Sequence, residues 1–471
     1  MNIQILSAFI LYFSMLFLIA LTFYKKSESE RSFALGNRSV NYWVTAISAQ
    51  ASDMGAWLFL AYPAIIYLYG LAKIWVAIGL VLFMWLNWQI IAPRLRRLTA
   101  QYNSLTLWTF FERRFEAPNI SLRMLSSIIA LFYFIIYIST GFMGVGRLLE
   151  AHFHLSYEIG ILIGALLTGT YILIGGFLAV AWCNLFQGFF LLATLMIVPI
   201  VGYNAIGGLQ AIKLAALTRG LSLNFFQSWN DLLTIIYTSI GWGLGYFGQP
   251  HVLINFMGID KESNIKKAKY IGLSWQILAL AASAAVGIIG IASCQSLQEA
   301  EHLFPCIVEK LFHPFMIGLI LCGVLAAILS TVTIQILVAA SSFTEDLYKT
   351  VINSHISSQH ATKITRLTII VITILSIITA YLAHTSIDRL VWFAWSGLGS
   401  SFGPLVIMSL YSKRINFHGA MAAIISGSLI ALLFPLFKIQ LPVLIAGFIV
   451  SPLCAIIASY LTSRPINKRS V

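Results

Sequence analysis

Ser48-Ala49-Gln50-Ala51-Ser52-Asp53-Met54-Gly55-Ala56-Trp57 lies well inside an apolar stretch, yet it reads unlike a helix that faces lipid. Small and hydroxyl-bearing residues stand where lipid contact favours Leu and Ile. The other carboxylates fall near the ends of apolar stretches or between them, and Asp53 alone sits deep in one. An acid in hydrocarbon costs roughly 2.5–3.5 kcal/mol on insertion scales, so it persists where it faces a cavity, a partner or an ion. Asp53 therefore marks either a functional pathway or a carboxylate that caps backbone N–H groups at a helix break, and the two roles are compatible.

The rest of the chain supplies the setting. Its 471 residues are 59% hydrophobic and only 10% charged, a composition that excludes a soluble globule and points to an all-α polytopic membrane protein. A bilayer core takes about 20 apolar residues per helix. The apolar stretches separate into thirteen candidate transmembrane helices, near 3–24, 42–70, 73–93, 122–148, 156–175, 183–203, 230–257, 271–295, 311–344, 365–385, 388–411, 418–436 and 440–463.

The excess of 29 Lys and Arg over 16 Asp and Glu encodes orientation rather than nucleic-acid binding. With the connections assigned alternately, one side receives 22 of the 29 basic residues, from Lys25 and Lys26 through Arg94, Arg96, Arg97 and Lys261 to Arg464, Lys468 and Arg469. The other side holds Lys73, Arg147, Lys213, Arg219, Lys310, Arg389 and Lys438. The richer side is cytoplasmic, which puts the N-terminus outside and the C-terminus inside. A missed span would invert every later loop and destroy the bias.

Cys183, Cys294, Cys306, Cys322 and Cys454 are dispersed, without metal-ligand spacing, and read as core thiols; Cys294 and Cys306 flank an external segment, where pairing is the lesser alternative. The first apolar stretch reads as a retained helix and not a signal peptide. Between 94 and 121, aromatics mixed with alternating charge predict a short amphipathic helix at the membrane interface. The longer external connections, 204–229 and 297–310, are expected to form partial lids.

The seventh stretch carries Ser239-Ile240-Gly241-Trp242-Gly243-Leu244-Gly245-Tyr246-Phe247-Gly248-Gln249-Pro250-His251. Gly and Pro weaken a helix interior, and backbone released at membrane depth must line a cavity or be buried in protein. The alternative is close helix packing through small residues. Stretches two and seven each begin a set of five helices, and the two sets have opposite membrane orientation. Interrupted helices at matching positions of two inverted halves point to a transporter's binding site.

Three regions then carry a resemblance. They are Phe33-Ala34-Leu35-Gly36-Asn37-Arg38-Ser39 with Ala51-Ser52-Asp53-Met54 and Trp57, then Gly175-Gly176-Phe177-Leu178-Ala179-Val180, and then Gly241 to His251 together with Ser330-Thr331, Gln335 and Ser342 to Lys349. On these blocks the chain resembles, nearly end to end, the sodium/solute symporter family, and within it the sodium/proline symporters. The resemblance implies a LeuT-type 5+5 inverted repeat in a single membrane domain over 1–471. An additional N-terminal helix would occupy 3–24, repeat 1 would span 42–203, repeat 2 would span 230–411, and two C-terminal helices would fill 418–463.

It also implies roles. A hard cation prefers oxygen ligands, and by resemblance Na+ would be held by the carbonyls of Ala51, Met54 and Ala327 with the hydroxyls of Ser330 and Thr331. The alternative for the two hydroxyls is a bond to a carbonyl one helical turn earlier. Asp53 would supply negative potential near the ion. Trp57, Tyr137, Trp242, Tyr246 and Pro250 match positions that surround the substrate; an aromatic wall suits a pyrrolidine ring and its ammonium. Two departures weaken the transfer. Gly55 and Ala56 follow Met54 where the sodium/proline symporters have Ser-Gly, and Asn184 stands where the family commonly has Asp.

The expectation is sodium-coupled import of L-proline across a bacterial inner membrane by alternating access. Sodium would be the co-transported ion, the lipid bilayer the surroundings, and neither nucleic acid nor an oligomer is needed. Walker A, HExxH and nucleophile motifs of enzymes are not found. The alternatives are another small carboxylate-bearing solute, such as a different amino acid or pantothenate, a transport-deficient solute sensor on the same fold, and proton coupling through Asp53.

Overall fold

Hydrocarbon leaves no water to satisfy a peptide group, so apolar segments bond their own backbones as helices. The computed structural model describes residues 3–23, 29–153, 155–226, 228–294, 297–352, 356–383, 385–437, 439 and 441–462. Lys25, Lys26, Lys438, Arg464, Lys468 and Arg469 of the charge count lie outside the described residues. Among the described residues, 11 helices are long and apolar enough to cross a membrane. They are α1 (Ile3–Thr22), α2 (Tyr42–Tyr69), α3 (Leu71–Gln101), α4 (Ser121–Phe153), α5 (Tyr157–Ala205), α8 (Ile265–Ser293, with a preceding turn), α9 (Pro314–Ser342, continuing to Ile352), α10 (Ser358–Leu382), α11 (Ile387–Tyr411), α12 (Phe417–Phe437) and α13 (Val443–Thr462). The seventh stretch adds two shorter pieces, α6 (Leu232–Gly248) and α7 (Pro250–Gly258).

Stretches five and six both lie in α5. Its 49 residues would extend about 74 Å as one straight helix, more than twice the thickness of a hydrocarbon core. Gly176 interrupts it at φ 55° and ψ −150°. The side chains of Tyr171 and Gln187, 16 positions apart, meet each other, although a straight helix would hold them about 24 Å apart. The chain therefore doubles back at Gly176. A Cβ on Gly176 would sit 2.8 Å from the Phe33 ring and 3.0 Å from its Cα, and one on Gly36 would sit 2.7 Å from Leu178. Two of the quoted sequence blocks thus pack glycine to side chain in both directions.

Helix α9 runs through the middle, against α1, α2, α4 and α5, while α12 and α13 pair on the outside of α11. Beside the Phe33–Ser39 block, Arg38 donates to the carbonyls of Met257 (2.7 Å), Thr99 (2.9 Å) and Ser104 (2.7 Å). Burial, together with neighbouring Arg96 and Arg31, lowers its guanidinium to about 10.

Two expectations need correction. Cys294 and Cys306 form a disulfide and are not core thiols; the helix Leu303–Leu311, seated by Leu303, Phe304, Ile307 and Val308, brings them together. The amphipathic helix forms at Leu107–Arg114, capped by Thr106, but its apolar residues Leu107, Trp108, Phe110 and Phe111 are buried in protein and do not rest on a membrane surface. Arg114 fastens it by donating to the carbonyls of Ser409 and Ser412, both at 2.8 Å.

Candidate functional site: the broken helices and their polar centre

Helix α2 starts at Asn41, whose side chain accepts from the amide of Val44, and runs regularly until Gly55. There φ is 51° and ψ −153°, a region occupied essentially only by glycine. The helix resumes through an irregular turn, Trp57–Ala61, before Tyr62. A Cβ at Gly55 would lie 3.4 Å from Thr331 Oγ1, an ordinary contact, so the backbone and not the space dictates the residue.

Directly across the break, Ser330 Oγ lies 2.7 Å from the Ala51 carbonyl and 3.0 Å from that of Ala327. Thr331 Oγ1 lies 3.5 Å and 3.1 Å from the same two carbonyls. Four oxygens converge while the two hydroxyls own one proton each. Turning those protons outward leaves lone pairs facing a common point, the donor set a hard cation prefers. The bonds to Ala327 are the turn-earlier bonds weighed from the sequence, and the same hydroxyls also reach across to the Ala51 carbonyl of α2. Met54 is beside this cluster: its carbonyl accepts from the Trp57 amide, and it lines a small cavity with Gly55, Trp57, Tyr137, Thr331 and Gln335.

Asp53 is 7% exposed. Its Oδ2 accepts the Tyr246 hydroxyl proton at 2.5 Å, and among the described residues its Oδ1 has no partner. The second break delivers Tyr246. Helix α6 tightens into a 3-10 turn over Leu244–Gly248, Gln249 is extended at φ −89° and ψ 102°, and Pro250 opens α7. None of the glycines in α6 needs left-handed backbone; they serve close approach, with Gly245 under Trp395 and Gly248 against the backbone of Gly403. Interruption and small-residue packing, weighed as alternatives, coexist in this helix.

The aromatic residues gather around these polar groups. Trp57 stacks on Tyr62 at 4.8 Å and meets Trp242 at 5.3 Å, and Trp242 meets Trp392 at 4.6 Å. Tyr137 faces the His251 ring edge-on at 5.7 Å. Pro250 stands apart and does not line the small cavity; its neighbour His251 is the residue that meets the Tyr137 ring. The cavity has a volume of about 20 Å³, room for on the order of one water and not for a pyrrolidine ring. On the side bearing the disulfide, a cleft of about 1140 Å³ includes Ala61, Met143, Asp388 and the ion pair of Arg147 with Glu301. Burial pushes the Glu301 carboxyl up, and Arg147 opposes that shift.

A profile of the sodium:solute symporter family matches residues 33–427. The chain belongs to the sodium:solute symporter family. It is 35% identical, over 99% of its own length and 96% of the relative's, to the osmoregulated proline transporter OpuE of Bacillus subtilis (strain 168). The sodium/proline symporter of Escherichia coli (strain K12) is likewise 35% identical, over 98% of this chain and 93% of that one. The solved structure of a substrate-bound, outward-open Na+-coupled sialic acid symporter has a TM-score of 0.83 at 17% identity, covering 98% of both chains. That of MhsT in complex with L-phenylalanine has a TM-score of 0.55 at 14% identity, covering 89% of this chain and 97% of that one. These neighbours agree with the expected LeuT-type fold.

In this symporter, several polar residues at the centre escaped the sequence reading. Gln276 donates to the Tyr246 hydroxyl at 3.1 Å and Asn87 donates to the Tyr246 carbonyl at 3.1 Å. Trp395 packs edge-on to Tyr246 at 5.2 Å. Gln50, Gln335 and His251 are fully buried, and among the described residues their side-chain nitrogens and oxygens have no partner. A polar side chain within an apolar span was the available signal. Asn184 donates to Ser48 Oγ at 3.2 Å, so the residue that replaces the family's usual Asp ties α5 to the first half of α2.

Proposed function

We propose that this chain imports L-proline together with sodium by alternating access in a bacterial inner membrane. One observation carries the reading: the Ser330 and Thr331 hydroxyls meet the Ala51 carbonyl at the Gly55 break, with Asp53 two residues away. In this reading Ala51, Met54, Ala327, Ser330 and Thr331 hold the ion. Trp57, Tyr137, Trp242, Tyr246 and Pro250 surround the solute, and Asp53 sets the potential between them. Sodium occupancy ties the two halves of the break to α9 and favours the solute-binding state, which is coupling by differential affinity.

The chain crosses the membrane 13 times in this proposal, α5 supplying two crossings and α6 with α7 one. Spans two to six and seven to eleven form the inverted repeats, the N-terminus is outside and the C-terminus is cytoplasmic. The asymmetry of basic residues supports that sidedness, as does a disulfide on the basic-poor face, since disulfides persist in oxidising compartments. One copy of the chain holds all the proposed site residues. The relatives named for proline transport, alike over almost the whole chain, support the choice of solute.

The test is uptake of radiolabelled proline into proteoliposomes under an imposed sodium gradient, against a proton gradient and unlabelled competitors. Sodium-stimulated uptake that excess unlabelled proline suppresses is expected. Uptake indifferent to sodium rejects the coupling, and uptake suppressed by another solute but not by proline rejects the substrate.

A further inference from the structure

Asp53 has one oxygen held and one bare, and it is held by two neutral groups in series. Tyr246 donates its only hydroxyl proton to Oδ2 at 2.5 Å. Gln276, on α8, donates from Nε2 to the same hydroxyl oxygen at 3.1 Å. With a donor already on that oxygen, the phenol proton points to Asp53. Tyr246 is fixed from two further directions, by Asn87 at its carbonyl and by the Trp395 ring. Gln276 is itself fully buried. One turn before it, Gly272 brings α8 close to α2: a Cβ there would lie 3.2 Å from the Gln50 amide. That close approach lets the Gln276 amide reach between α2 and α6.

The neutrality of the relay matters. Among the described residues, Asp53 has no ion-pair partner within 4.0 Å. An arginine in place of the phenol and amide would orient the carboxylate equally well and cancel its charge. A phenol and an amide orient it and leave the charge available. Oδ1, buried and unpartnered, is then the acceptor that remains for a cationic centre.

We infer that Gln276 is a positioning residue for cation capture: acting through Tyr246, it aims the free oxygen of Asp53 at the cationic centre of the cargo, either the sodium ion or the solute's ammonium. This rests on the sodium-proline symport reading. The experiment compares wild type, Gln276→Leu, Gln276→Met, Tyr246→Phe and the double variant Q276L/Y246F in proteoliposomes. Sodium is titrated at saturating proline, and proline at saturating sodium.

Each Gln276 substitution is expected to raise a half-saturating concentration about fivefold, the scale of one hydrogen bond, with the maximal rate within about twofold of wild type, and Tyr246→Phe is expected to raise the same half-saturating concentration at least as much. The double variant is expected to be no worse than Tyr246→Phe alone, because both changes break one relay. A shift confined to sodium assigns the free oxygen to the ion, and one confined to proline assigns it to the ammonium. Gln276→Met keeps volume without branching, and it carries the test if detergent melting shows that Gln276→Leu does not fold. Wild-type half-saturation in the Gln276 variants, a loss of maximal rate alone, or effects that multiply in the double variant would overturn the inference and leave symport standing. A wild-type chain without sodium-stimulated proline uptake overturns the symport reading, and this inference with it.

Discussion

Thr331 and Asp53 make different demands on the break in α2. Thr331 contributes an oxygen whose proton is shared weakly, at 3.1 Å and 3.5 Å, with two carbonyls. Thr331→Val keeps the shape and removes that oxygen. It is expected to raise the sodium concentration for half-maximal uptake roughly 5- to 30-fold, about 1–2 kcal/mol of lost ligation, with little change in melting temperature. Asp53→Asn keeps an acceptor for Tyr246 but removes the charge, so sodium dependence should weaken at least as much; an unchanged sodium titration in both variants rejects the site. The polar partnering of Asp53 was visible in the chain because a lone acid in an apolar run is costly wherever its helix faces. Gln276 was not, since an amide in such a run announces a polar partner without saying which of several neighbouring helices supplies it.

Helix α2 and helix α5 each turn on one glycine with nearly the same backbone angles, yet the two positions differ in their surroundings. At Gly55 a methyl group meets only Thr331 at contact distance. Gly55→Ala is therefore expected to fold with about 1–3 kcal/mol of backbone strain and to lose sodium-stimulated uptake as the break relaxes, checked by melting and transport of the same preparation. At Gly176 a methyl group would strike the Phe33 ring and backbone. Gly176→Ala adds a clash to the strain and should fail to accumulate in membranes, measured by expression at equal induction. Interruption of α2 and of the seventh span was readable from composition, because glycine and proline act through their own backbones. The burial of Leu107–Arg114 was not, since an amphipathic pattern is satisfied equally by lipid or by protein.

Across the molecule, the disulfide pins a segment that borders the cleft holding Arg147 and Glu301. Closing a loop of this length contributes about 3 kcal/mol by the chain-entropy account. Reduction, or Cys294→Ser with Cys306→Ser, should therefore lower the melting temperature, while Cys183, Cys322 and Cys454 remain free thiols in either case. An unchanged melting curve on reduction would show that the segment is held by Leu303, Phe304, Ile307 and Val308 alone. Hydropathy and the special backbone of glycine and proline are properties of single positions or short windows, so the all-helical polytopic class and the places where helices break could be read along the chain. Which polar atoms meet is another matter. Asp53 with Tyr246, Tyr246 with Gln276 and Cys294 with Cys306 become pairs only when helices remote in sequence pack with particular faces together, and that packing is set by side-chain volumes summed over the whole bundle.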